Sequence, residues 1–146
     1  MNLKNTRDLK IAKDKIDFAN NKNENLNYPN WVEFIDNHLN FFIWEEDTEK
    51  GKEVLKNIDK VPEWAREGRL TSLKKRNAFA DFDKKKGYYN INTGFSSENN
   101  WISIGFERTP TIEELKIFVE MARHLDALLL KDGKEIIDEK VIESLI

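Results

Sequence analysis

The sequence predicts an α+β fold: a mainly antiparallel sheet packed against one central amphipathic helix, with N-terminal helices and a short C-terminal helix around it. Three observations carry this expectation. Trp101-Ile102-Ser103-Ile104-Gly105-Phe106 alternates apolar and small residues with period two, as a strand with one buried face does. Thr111, followed three residues later by Glu114, forms a capping box that opens a helix over about 111–125. Along it Ile112, Leu115, Val119 and Ala122 make an apolar stripe with Phe118 and Leu125 beside it, while Glu113, Lys116, Glu120 and Arg123 take the wet side. Finally, Leu128-Leu129-Leu130 and Glu135-Ile136-Ile137 enclose Lys131-Asp132-Gly133-Lys134, and an Asp-Gly pair between two apolar runs is a strong hairpin signal.

The rest of the chain is arranged around that unit as a single domain, 1–146. Leu9, Ala12, Ile16 and Ala19 fit a helical stripe, which predicts a packed N-terminal helix within 1–19. An Asn-rich loop or connector, 20–28, separates it from the main body, 29–146. Pro29 sits at a favoured helix start, and Trp31, Phe34, Ile35, His38 and Leu39 repeat at three and four. Phe41-Phe42-Ile43-Trp44, apolar throughout, suits a central strand covered on both sides. Thr48 caps a further helix through Ile58, with Val54, Leu55 and Ile58 inward, and Gly51 weakens its first turn. Pro62 starts a one-turn helix carrying Trp64 that Gly68 ends. Leu70 to Asn77 is compatible with helix or strand, and the strand reading is favoured from Ala78 to Phe82. Lys84 to Gly87 then turns the chain into a strand over Tyr88 to Phe95, with Tyr89, Ile91 and Phe95 on one face and Tyr88, Asn90 and Asn92 on the other. Asp138 caps a last short helix that buries Val141, Ile142 and Leu145.

Composition narrows the functional classes. With no cysteine there is no disulfide, thiolate metal site or cysteine nucleophile. No apolar run approaches the roughly 20 residues of a membrane helix, and a cytoplasmic protein, by its Asn and Lys usage a bacterial one, is expected. The net charge of -3 is unevenly spread: residues 1–60 hold 10 basic and 12 acidic groups, 61–86 hold 8 and 4, and 87–146 hold 6 and 11. A basic middle followed by an acidic C-terminal unit steers charged partners to one side without the overall positive charge of a general nucleic-acid binder.

Candidate chemistry is sparse. His38, in an apolar stripe, is a packing residue with one hydrogen bond, and His124 complements the C-terminus of the central helix. Two histidines without zinc-ligand spacing give no metal site, and no cofactor is expected. Asp81 and Asp83, two apart on a strand, would project from one face as a nuclease carboxylate pair does, but a strand end entering a charged turn has the same residues. Lys86-Gly87-Tyr88-Tyr89 opens like an RNA-recognition consensus and departs from it at Asn90, Ile91 and Asn92. Together with Lys74, Lys75, Arg76, Lys84 and Lys85, Lys86 forms the candidate nucleic-acid surface, and lysines that guard an edge strand are the favoured explanation of the same residues.

The remaining candidate is a face made by Tyr88, Asn90, Asn92, Trp101 and Ser103. Open to solvent, it is a partner-binding patch of aromatics among amides and hydroxyls; covered by the N-terminal helices, it puts Trp101 in the core. A small, acidic, cysteine-free, aromatic-rich chain without a catalytic constellation resembles, in outline, immunity proteins that neutralise bacterial toxins. The resemblance implies a non-enzymatic protein-binding module whose partner is a basic toxin domain. A nucleic-acid-binding or nuclease-like domain using the 74–86 segment, and a small-ligand sensor with its ligand between helix and sheet, are the alternatives.

Overall fold

Leu9 and Ile11 decide the topology, because two isoleucine-sized side chains two residues apart share one face of an extended strand. The computed structural model describes all of residues 1–146 and places Asp8–Ala12 (β1) in the interior of a sheet, paired antiparallel with Trp101–Phe106 (β5) on one side and Leu128–Lys131 (β6) on the other. The other strands are Ile43–Trp44 (β2), Asn77–Asp83 (β3), Tyr88–Ser96 (β4) and Glu135–Ile137 (β7). All seven form one antiparallel sheet in the order β2-β3-β4-β5-β1-β6-β7, which with the helices makes the fold α+β.

One face of this sheet carries the core. Leu9, Ile11, Ala78, Ala80, Ile91, Ile102, Ile104 and Leu129 are buried beneath helices Tyr28–Asp36 (α1) and Ile112–His124 (α4), which contribute Trp31, Phe34, Ile35, Leu115, Phe118 and Met121. Phe118 is met edge-on by Phe42 and Phe106, each at 5.8 Å between ring centres. The capping box is formed as expected: the Glu114 amide donates to Thr111 Oγ1 at 3.1 Å and the Thr111 amide to Glu114 Oε1 at 2.9 Å. The Asp132-Gly133 turn has both residues at positive φ, 56° and 72°, the backbone of a tight β6–β7 hairpin. Helix Glu139–Ser144 (α5) is capped by Asp138 and buries Ile142.

Four expectations are corrected. The helix expected within 1–19 is β1 followed by an irregular segment. Leu9 and Ile11 point to the core, whereas Ala12 and Ile16 pack with Leu130 and Trp101 on the opposite face. Of Phe41 to Trp44, only Ile43 and Trp44 pair with a neighbour, at the sheet edge; Phe41 and Phe42 belong to the turn after α1. α1 packs on the same face of the sheet as α4. Gly68 does not end a helix, since Glu63–Ser72 (α3) runs through it and leaves Trp64 88% exposed. Helix Glu49–Lys56 (α2) starts at Thr48 as expected, but its one buried residue is Gly51, and Leu55 is exposed. The Asn-rich loop is pinned by its amides: Asp14 N–H donates to Asn23 Oδ1 at 2.6 Å, and Asn100 Nδ2 donates to the Asn23 carbonyl at 2.9 Å.

Candidate functional site

On an ordinary strand Asp81 would follow Ala80 to the far face and Phe82 would return to the core. Here Asp81 takes φ 58°, a conformation that short polar residues tolerate better than most. Its carboxylate instead accepts hydrogen bonds from Asn90 Nδ2 at 3.0 Å and from Arg108 Nη2 at 2.5 Å. Arg108 also donates to both oxygens of Glu114, at 2.8 and 2.7 Å. These charge-assisted bonds hold the Asp81 and Glu114 carboxyls below the usual carboxylate range: at Asp81 the Arg108 hydrogen bond dominates, and at Glu114 the Arg108 bonds and the Thr111 amide outweigh the opposing effect of burial.

The inverted phase has a consequence on the far face. Phe79, Phe82 and Tyr89 come together there, with ring centres 5.4 Å apart for Phe79 and Tyr89 and 4.9 Å for Phe82 and Tyr89. They floor a cleft of about 820 Å³, with Tyr88 and Asn92 beside them. The opposite wall is the start of α2, including Glu49 and Gly51, together with Glu45 in the turn before α2 and Arg69 of α3, and Glu107 closes one side. Gly51 is required where α2 begins, because a Cβ there would lie 1.9 Å from the Glu45 carbonyl oxygen. Arg69 is held by Glu45 at 3.4 Å and Ser72 Oγ at 2.9 Å. Burial raises the Tyr89 hydroxyl above its ordinary pKa, and the nearby Glu49 carboxylate adds to the shift.

The five residues expected to share a partner-binding face are divided. Tyr88 and Asn92 line the cleft, and Asn92 lies across Gly105 of β5. Trp101 and Ser103 occupy the same far face nearer β1, where Phe18 meets Trp101 edge-on at 5.7 Å and Lys10 stands 5.3 Å above its ring. Asn90 is buried and turned to the Asp81 clasp. The face is thus covered by Phe18 and Ile16 at the Trp101 end and open at the Tyr88 end.

The basic residues also separate. Lys74, Lys75 and Arg76 precede β3, whereas Lys84, Lys85 and Lys86 follow it, roughly 25 Å away at about 3.3 Å per residue. Lys75 pairs with Asp36 at 3.0 Å, and Arg76 stacks over Tyr28 at 4.3 Å. Asp81 and Asp83 are not a carboxylate pair, since Asp83 accepts from the Lys85 and Lys86 amides and shapes the hairpin turn. No cluster of three or more histidine or acidic side chains is arranged to hold a metal ion. His38 stacks on Phe34 at 4.0 Å and donates Nδ1–H to its carbonyl at 2.7 Å, while His124 reaches Glu33 at 3.2 Å.

Sequence reasoning missed Phe79, Phe82, Tyr89, Glu49, Arg69 and Glu107. Its strand periodicity set Tyr89 opposite Tyr88, and only the presence of an aspartate at 81 hinted that the alternation would break there. No helix is long and apolar enough to cross a membrane. Comparison with protein-family models, with curated proteins and with solved structures finds no match for the chain.

Proposed function

We propose that this chain is a non-enzymatic protein-binding module of the bacterial cytoplasm that receives a partner segment in the cleft between β3–β4 and the α2–α3 helices. The observation that carries the reading is the cluster of Phe82, half exposed, Tyr88, 39% exposed, and Tyr89 at the mouth of a preformed cleft. Rigid aromatics around a concavity are where binding free energy concentrates at protein interfaces. The separation of the two basic clusters along β3, with Lys75 and Arg76 already engaged, favours a protein partner over nucleic acid. Neutralisation of a basic toxin domain is the specific form of this reading, in agreement with the acidic excess over residues 87–146.

The test is capture of the product of the adjacent gene by the full chain and by Phe82→Ala, which removes a half-exposed side chain and leaves the core intact. An interface anchor of this kind contributes about 2 kcal/mol or more, so the variant should bind roughly 30-fold more weakly. Equal affinity of variant and parent, or no complex with that product, refutes the reading. A small-ligand sensor is the second reading, favoured by a cleft volume inside the roughly 300–1,000 Å³ range of ligand pockets. A melting-temperature screen against metabolites distinguishes it, since a ligand at 100 times its dissociation constant adds about 2.7 kcal/mol.

A further inference from the structure

Four aromatic side chains of the sheet, from buried Trp44 to Tyr88 at 39% exposed, have a cation nearby, and the floor of the cleft is a gap in that arrangement. Trp101 has Lys10 above its ring at 5.3 Å, Trp44 has Lys75 at 5.7 Å, Tyr88 has Lys86 at 5.7 Å and Phe95 has Arg76 at 6.0 Å. Each is within the range at which a ring quadrupole attracts a cation. The Phe79–Tyr89–Phe82 trio has no such cation, although it is the largest aromatic group on the far face and Phe82 is half exposed.

The charge around this gap is of the complementary sign. Glu45, Glu46, Asp47 and Glu49 stand against the single Lys50 in the segment Glu45–Gly51 that walls the cleft. Arg69 neutralises Glu45, and Lys75 N–H occupies one oxygen of Glu46. Glu49 and Glu107, both at the rim and exposed, make no ion pair. Lys50 lines the cleft too, but its ammonium is neither paired with an acid nor seated over a ring.

We infer that the cleft is built to take an arginine side chain of a basic partner protein, its guanidinium stacked on Phe82 and Tyr89 and its charge met by Glu49 and Glu107. This rests on the reading of the cleft as a protein-binding site and adds the chemistry of the residue it recognises. Arginine fits better than lysine, because a planar, weakly hydrated cation stacks on an aromatic face and donates sideways to carboxylates at the same time. The chain already uses that geometry internally, with Arg76 at 4.3 Å over Tyr28.

The experiment is an amide-resolved NMR titration of the full chain with acetyl-Leu-Arg-Leu-amide and with the same peptide carrying citrulline, which keeps the shape of arginine and lacks its charge. Saturable shifts at the Phe82, Tyr89 and Glu49–Gly51 amides are expected. The arginine peptide should bind at least tenfold more tightly at 50 mM salt, and this preference should shrink at 500 mM. The double variant Glu49→Gln, Glu107→Gln should bring the ratio close to one with an unchanged melting temperature, and Lys50→Met should raise affinity for the arginine peptide by removing a like charge. Equal binding of both peptides in the cleft overturns the arginine inference and leaves the protein-binding reading standing. Shifts confined to other surfaces, or none, overturn both.

Discussion

Two glycines in neighbouring helices should respond oppositely to the same substitution. Glycine in a helix interior is ordinarily about 0.5–1 kcal/mol less favourable than alanine. Gly68, in mid-α3, has nothing within 4 Å of an added Cβ, so Gly68→Ala should gain about that amount and raise the melting temperature by roughly 2–3 °C. Gly51 occupies the first turn of α2, where the new Cβ would sit 1.9 Å from the Glu45 carbonyl oxygen. An ordinary carbon–oxygen approach is about 3.3 Å, so more than an ångström of separation has to come from backbone on both sides. That carbonyl cannot yield freely, since it accepts from Thr48 Oγ1 at 2.6 Å and from the Thr48 amide at 3.1 Å. Overpacking of this kind opposes folding by about 1–3 kcal/mol and outweighs the propensity gain, so Gly51→Ala should melt several degrees lower. Because Glu45 and Glu49 both line the cleft, the displaced turn should also weaken peptide binding there. Thermal and urea denaturation followed by circular dichroism read both effects. A Gly51→Ala variant as stable as the parent, or a Gly68→Ala variant less stable, would refute the account of how α2 and α3 are seated.

Thr111→Ala removes the hydroxyl that accepts from the Glu114 amide and should lower stability by about 1 kcal/mol, measured as a shift in urea midpoint at unchanged slope. The Asp81 and Glu114 carboxyls are held below their ordinary range in the folded state, so their contribution is fully present above the carboxylate pKa of about 4 and is lost as pH falls below it. Arg108→Gln, which leaves both acids without their cation, should therefore be less stable than the parent by about 1.5–3 kcal/mol at pH 7 and should lose less of its melting temperature between pH 5 and pH 3. Parallel melting curves for the two proteins across that interval would rule the clasp out as a source of acid sensitivity.

Where structure is made by neighbours in sequence, the residues announce it. The Thr111–Glu114 capping box, the Asp132-Gly133 turn, the alternation in β5 and the Thr48 cap each depend on groups no more than a few residues apart, and each is formed. The failures share the opposite origin. Leu9, Ala12 and Ile16 fit a helical stripe, while Leu9 and Ile11 equally fit a strand; β5 and β6, some hundred residues away, decide between them by supplying partners for the β1 backbone. Phe41 and Phe42 are apolar because they seat the turn after α1, with Phe42 against Phe118, and not because a strand passes through the sheet centre. Gly68 carries the same signal whether it ends a helix or lies in one, and with no close neighbour nothing in the fold selects against it.

The candidate site was hidden for a related reason, and its origin lies across the sheet from the cleft. Arg108 leaves the end of β5 and ties Asp81 to Glu114 in the first turn of α4, on the core side. Held there, Asp81 adopts positive φ, Asn90 is drawn in beside it, and Asn90 and Ile91 become consecutive buried residues in β4. The break in alternation releases Phe82 and Tyr89 to join Phe79 on the far face. One ion-pair clasp therefore closes the sheet against the central helix and also assembles the aromatic floor of the cleft. Mutation of the clasp should consequently be felt on the opposite face: Arg108→Gln should weaken binding to Phe82 and Tyr89 although Arg108 does not line the cleft. A surface assembled merely by local β3–β4 pairing would be indifferent to it.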